Sequence, residues 1–169
     1  MGENVRSHET GTVFWELLDP LKHILYNFLR KSLNFYVQAD DVYQETVLHA
    51  FQYFDTFKTD KNFKAWIFAI AHNEIKKHLK KTRQDAAAAR LNLPAVSGPD
   101  ERRALIREIF EFAARLKPRE REVFFLFYEN GFSVSEIRTI TGLKDGYVKL
   151  LLHQARTQLK TALGVNDEE

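Results

Sequence analysis

Apolar side chains recur at intervals of three and four along most of this chain, while strand-like stretches are limited to short ambiguous pieces such as Val123–Phe127. A repeat near 3.6 residues lines one face of a helix, so the predicted fold is all-α. From Thr12 to about Phe35 the stripe is Phe14, Leu17, Leu18, Leu21, Leu25, Phe28 and Leu29, with Pro20 placed where a new helix can start. Asp40 or Asp41 opens a second helix whose apolar face is Val42, Val47, Ala50, Phe51 and Phe54; acids in a first turn suit the positive end of the helix dipole. A polar loop, Thr56 to Asn62, leads into a third helix from Phe63 to Lys81, with Phe63, Trp66, Ile67, Ile70, Ala71 and Ile75 on its inner side.

Residues 84–99 break the pattern. Ala86 to Ala89 can extend a helix, but Pro94, Ser97, Gly98 and Pro99 do not fit one, so the stretch reads as a flexible linker. The chain then divides into two small helical domains, 1–83 and 100–169. In the second, Leu105, Ile106, Ile109, Phe110 and Ala113 form an amphipathic face, and Pro118 stands at a first helical turn ahead of a stop at Gly131. Ser133 with Glu136 three residues later is a capping box, the short helix it starts ends at Gly142, and a longer helix runs from Asp145 to Leu163 before Gly164. Short helix, glycine-containing turn and longer helix make the pattern of a helix-turn-helix; an ordinary helical hairpin is the alternative.

The net charge of +2 conceals a division. Residues 1–57 hold four basic and eight acidic side chains, residues 58–90 nine and three, and residues 91–169 twelve of each. Lys76, Lys77, Lys80, Lys81 and Arg83 fall within eight residues, a density that suits a polyanionic partner, with a solvated helix face as the alternative.

Several function classes drop out. The chain has no cysteine, which excludes disulfides, thiolate zinc sites and a cysteine nucleophile. His72 and His78 lie about 120° apart round a helix, and Glu45 with His49 reads as a contact one turn apart, so neither metal nor cofactor is expected. There is no glycine-rich phosphate loop and no nucleophile elbow, hence no catalytic residue and no small-molecule substrate. The longest apolar run, Val123 to Tyr128, is far short of a membrane span. No leader precedes the helices, and Arg6 stands where a myristoylation signal takes Ser or Thr, so a cytoplasmic protein without direct membrane insertion is expected.

Two constellations carry chemistry. After the glycine turn, Lys144, Lys149, His153, Gln154 and Arg156 are able to reach phosphates or base edges, while Ile137, Ile140, Val148 and Leu152 belong to the core. Upstream, Phe57, Phe63, Trp66 and Phe68 are interleaved with Lys58, Lys61, Lys64 and the later lysines. Unstacked bases rest on aromatic rings while lysines track phosphates, so this composition suits melted DNA. Phe63 and Trp66 read as core; the loop 56–62 and the polar residues His72, Asn73 and Lys76 read as the contacts.

These residues resemble a known family. Ala39-Asp40-Asp41-Val42-Tyr43-Gln44-Glu45-Thr46, then Phe57, Phe63-Lys64-Ala65-Trp66-Ile67 and Ile70-Ala71-His72-Asn73, resemble the first domain of extracytoplasmic-function sigma factors, small specificity subunits of bacterial RNA polymerase. Leu116-Lys117-Pro118-Arg119-Glu120-Arg121-Glu122-Val123, then Gly131-Phe132-Ser133, Glu136-Ile137, Gly142, Gly146 and His153-Gln154-Ala155-Arg156, resemble the second. The resemblance implies that Asp40, Asp41, Gln44 and Glu45 face the polymerase clamp. Phe57, Lys58, Lys61, Asn62, His72, Asn73, Lys76, Lys77, Lys80 and Lys81 would hold the minus-ten promoter element, and Ser135, Arg138, Lys144, Tyr147, Lys149, His153, Gln154 and Arg156 the minus-thirty-five element. Core polymerase, promoter DNA and an anti-sigma factor are the implied partners.

The chain departs from the family where Arg138 replaces alanine, Tyr147 threonine, Leu151 and Gln154 arginine, and Lys77 aspartate. Fewer arginines on a recognition helix lower phosphate affinity or alter base preference. A sigma-like regulator that binds an anti-sigma factor or polymerase without reading a promoter is therefore the second reading. A simple helix-turn-helix repressor, the third, has no use for residues 39–73.

Overall fold

The computed structural model describes residues 11–34, 39–58, 60–82 and 100–164, the side chains of 100–102 excepted, and among these there is no strand. The all-α expectation holds. Helix α1 covers 11–18, and at Pro20 the chain makes a 3₁₀ turn, Asp19–Leu21, before α2, Lys22–Ser32. A proline at the start of a turn loses no hydrogen bond, so Pro20 divides the long apolar pattern in two. The helix expected to reach Phe35 stops at Ser32, with Asn34 in the left-handed region at φ 58°. Helix α3, Ala39–Gln52, and α4, Phe63–Thr82, pack side by side, joined by a 3₁₀ turn, Phe54–Thr56, and an irregular stretch. Phe14, Phe28 and Phe68 are fully buried in this half. Each contributes roughly 1.5–3 kcal/mol over an exposed position.

The expected linker, 84–99, lies outside the described residues. Beyond it come α5, Asp100–Arg115, α6, Pro118–Tyr128, α7, Val134–Thr141, and α8, Asp145–Ala162. Ser133 Oγ accepts from Glu136 N, and the Glu136 carboxylate accepts from Ser133 N at 2.8 Å, closing the capping box. That bond holds the Glu136 carboxyl below its ordinary value. Gly142 ends α7 at φ 71°, where a side chain would strain the backbone. The ambiguous run Val123–Phe127 is helical, and residues 121–126 of α6 are all buried.

The two sets of helices pack on each other, α2 against α6 and α4 against α7. Arg121 lies within this seam. Its Nε donates to Ala113 O at 2.9 Å and its Nη2 to Leu116 O at 2.7 Å, at the end of α5, while Nη1 donates to Ser32 O at 3.2 Å, at the end of α2. One guanidinium thus serves the terminal carbonyls of two helices. Lys31 pairs with Glu129 and lies over the rings of Phe110 and Phe125. Lys64 donates to Asn130 O at 2.6 Å and lies 4.7 Å from the Phe132 ring centre. Phe68 meets Phe132 edge to face at 5.1 Å.

Candidate polymerase and nucleic-acid interfaces

Helix α3 has an outer face because Val42, Thr46 and Ala50 take its inner one. Thr46 sits in the core by donating its hydroxyl to Val42 O at 2.7 Å. Asp40, Asp41, Gln44 and Glu45 are all exposed on the opposite side. Tyr26 Oη donates to Asp40 Oδ1 at 2.5 Å, a bond that, helped by burial, raises the tyrosine above its ordinary pKa and fixes the carboxylate's orientation. Further along, Phe51, expected in the core, is 45% exposed and stacks on exposed Trp15 at 6.1 Å; Leu48 is exposed beside it. The acidic face thus continues into an apolar one. Periodicity missed this, because Phe51 lies at the margin of the stripe and Trp15 covers only part of it.

The aromatic loop is largely committed to itself. Phe57 is half-buried, stacked on Phe54 at 5.9 Å and packed on Phe63 and Trp66 at 5.4 and 5.2 Å. Lys58 and Lys61 are exposed beside it. Asn62 caps α4, its Oδ1 accepting from Ala65 N at 3.3 Å. On α4, Asn73, Lys76, Lys77 and Lys80 follow at helical spacing on one exposed face, with Lys81 alongside. Asn73, Lys76, Lys77 and Lys80 join His49, Tyr53, Ile70 and Glu74 around a cleft of about 490 Å³. Glu74, almost wholly buried, holds His49 Nδ1 at 2.9 Å and Lys77 at 2.8 Å, so Lys77 is partly neutralised by its own helix. His72 stands apart from the set predicted with it. It is 8% exposed, and its Nδ1 lies 2.7 Å from Glu122 Oε1 across the seam. Sequence reasoning placed it beside Asn73 because the two are adjacent, but successive helical residues diverge by about 100°.

In the second half the side chains of Ser135, Arg138, Lys144, Tyr147, Lys149, His153, Gln154 and Arg156 are all exposed, while Val148, Leu151, Leu152 and Ala155 pack inward. Arg138 Nε approaches Asp145 Oδ1 at 3.6 Å, linking the two helices of the motif, and Arg156 Nε donates to Tyr128 Oη at 3.2 Å. Leu151, standing where the family pattern has arginine, is only 3% exposed. It therefore packs in the core under α8 and is not part of the helix's outer face. Tyr147 and Leu150 lie exposed, 41% and 47%, on the outer face; Leu150 was not among the predicted residues.

Family models match in the same order as the helices: Sigma-70 region 2 over residues 16–84 and Sigma-70, region 4 over residues 99–159. The ECF RNA polymerase sigma factor EcfG of Rhodopseudomonas palustris is 30% identical over 135 residues, covering 78% of this chain and 75% of that protein. This chain belongs to the ECF family of RNA polymerase sigma factors. A second relative, SigL of Mycobacterium tuberculosis, is 29% identical over 153 residues, 87% of this chain and 86% of that protein. Among solved structures, the sigma factor RpoE of Bartonella quintana, in complex with the anti-sigma factor NepR, has a TM-score of 0.78 at 25% identity, over 90% of this chain and 98% of that one. The function is that of the family: promoter-specific initiation of transcription by RNA polymerase. Among the described residues no helix is long and apolar enough to cross a membrane, and no cluster of metal-ligating side chains occurs.

Proposed function

We propose that this sigma factor docks on core polymerase through the outer face of α3, with Asp40, Asp41, Gln44 and Glu45 meeting the clamp, and carries promoter DNA on two separate cationic surfaces. Residues 1–83 form the polymerase and minus-ten domain, 84–99 the linker and 100–169 the minus-thirty-five domain. Phe57, Lys58, Lys61, Asn62, Asn73, Lys76, Lys77, Lys80 and Lys81 hold the melted minus-ten element, where lysines follow phosphates and rings stack on unpaired bases. The face of α8 from Lys144 to Arg156, with Ser135 and Arg138 of α7, enters the major groove at the minus-thirty-five element. The protein catalyses nothing itself: binding energy to unstacked bases draws the promoter toward its open form. It works in the cytoplasm, where the polymerase is, and an anti-sigma factor restrains it, a partner suggested by the likeness to RpoE solved with NepR.

The observation that carries this reading is the pairing, in one chain, of a lysine face on α4 beside a cleft that Tyr53 and His49 also line with a capped helix-turn-helix whose second helix exposes Lys149, His153, Gln154 and Arg156. The test is reconstitution with bacterial core polymerase and sequencing of transcripts from a random promoter library. Transcripts sharing two upstream elements are expected. Core binding without promoter preference would instead identify the regulator that lacks promoter readout, which the apolar Tyr147 and Leu150 on the outer face of α8 favour. Duplex binding without polymerase would identify a repressor.

A further inference from the structure

We propose that Leu150 and Tyr147 read thymine in the minus-thirty-five element by apolar contact with its 5-methyl group in the major groove, and that Gln154 reads adenine close by, so that α8 selects A·T pairs there. The inference rests on the assignment of α8 to that element and goes beyond it by naming the bases.

At about 100° per residue, the bearings of the side chains on α8 follow from their numbers. Val148, Leu151, Leu152 and Ala155 fall in one arc, and all four are buried. Leu150 falls nearly opposite, exposed on the line of the helix that faces away from the core. One turn earlier on the same bearing stands Gly146, with open space where a side chain would be, so nothing on that line screens the leucine. Tyr147 and Gln154, seven residues apart, share one shoulder of the line; Lys149 and Arg156, also seven apart, share the other. The helix thus carries an apolar crest between an amide shoulder and a cationic one.

The DNA major groove answers that arrangement. It is about 12 Å wide, and the apolar group that its base edges offer is the thymine methyl. With Lys149 and Arg156 turned to the phosphates, the crest meets the groove floor. Tyr147 lies in the first turns of α8, the part of a recognition helix that contacts base edges. Gln154 lies one turn beyond Leu150, about 6 Å along the axis, so the two address base pairs one or two steps apart. A glutamine amide pairs twice with adenine, at N6 and N7, whereas the arginine of the family pattern at this position pairs with guanine. The exchange at 154 and the apolar side chains at 147 and 150 therefore point the same way. The regulator reading leans on the same two apolar residues, but a protein partner would take a broader patch, on the order of several hundred Å², than two side chains set among Lys149, His153 and Gln154.

The test uses the full-length chain assembled with core polymerase. Upstream elements are selected from a random promoter library, and in a selected element each thymine is replaced in turn by deoxyuridine, which removes the methyl group and keeps the hydrogen bonds of the pair. Replacement of at least one thymine should weaken holoenzyme binding about fourfold, the worth of one buried methyl. Leu150→Ala should bind the unmodified element less tightly and should no longer distinguish thymine from deoxyuridine at that position. Gln154→Ala should keep that discrimination and lose the preference for a nearby adenine; unchanged base preference in this variant would overturn the reading of adenine. A selected element without thymine, deoxyuridine without effect at every position, or a methyl effect of full size in both Leu150→Ala and Tyr147→Ala would overturn the reading of thymine and leave the promoter assignment standing. A library that yields no shared upstream element would overturn that assignment and the inference with it.

Discussion

Helices α4 and α8, of 20 and 18 residues, are both long and both carry cations, yet they use their circumference differently. Helix α8 is one-sided. Val148, Leu151, Leu152 and Ala155 rest on α6 and α7, and everything opposite meets solvent. Helix α4 is committed on three sides: Ile67, Ala71 and Ile75 to the first-half core, Lys64, Phe68 and His72 to the second half, and Asn73, Lys76, Lys77 and Lys80 to the open cleft. The difference teaches that the exposed cations of α8 stand on a helix that answers to one core only, whereas the lysine face of α4 shares its helix with residues that hold the two halves together.

The largest effect is expected where a buried cation belongs to the seam. Arg121→Ala removes the donor that serves the ends of α2 and α5 and should lower stability by about 3 kcal/mol or more in urea denaturation. Arg156→Ala, on the exposed side of α8, should change it by less than about 0.5 kcal/mol. Equal losses would break the contrast between the two helices.

Next comes the acidic face. Asp41→Lys with Glu45→Lys should weaken binding to core polymerase about tenfold or more, since like charges set against a partner are costly, while the circular dichroism melt stays nearly unchanged. Undiminished core affinity would move the interface off the acidic start of α3, toward Leu48 and Phe51 on its later turns and Trp15 beside them.

A sharper comparison uses salt. Replacing Lys80 and Lys81 by alanine should flatten the dependence of promoter binding on log salt by roughly one to two units, measured with core polymerase on pre-melted DNA. Replacing Lys149 and Gln154 should mainly change which upstream sequence is preferred. If the slope stays the same in the first pair, this part of α4 is a solvated face.

The smallest effect concerns the cap of α7. Ser133→Ala should cost about 1 kcal/mol. Because the serine's N–H holds the Glu136 carboxyl below its ordinary 4.5, the pair's contribution is complete above that value and fades as pH falls through the lowered one. Acid denaturation should therefore be slightly less steep in Glu136→Gln than in the wild type.

Features that depend on a few neighbouring residues were readable from the chain alone. Ser133 and Glu136, Gly142 at its positive φ, Pro20 at the break and Pro118 at the start of α6 act through backbone geometry within one turn, so their sequence pattern carries the information. The helical period likewise marked Ile67, Ala71, Val148 and Leu152 as core. A period states which residues share a face; it does not state what covers that face. Only the tertiary structure set His72 against Glu122, turned Arg121 inward to two helix ends, buried Leu151 and left Phe51 on the surface with Trp15. Those outcomes depend on how two sets of helices far apart in sequence approach one another, and that approach is decided by the combined packing and hydrogen bonding of the whole seam.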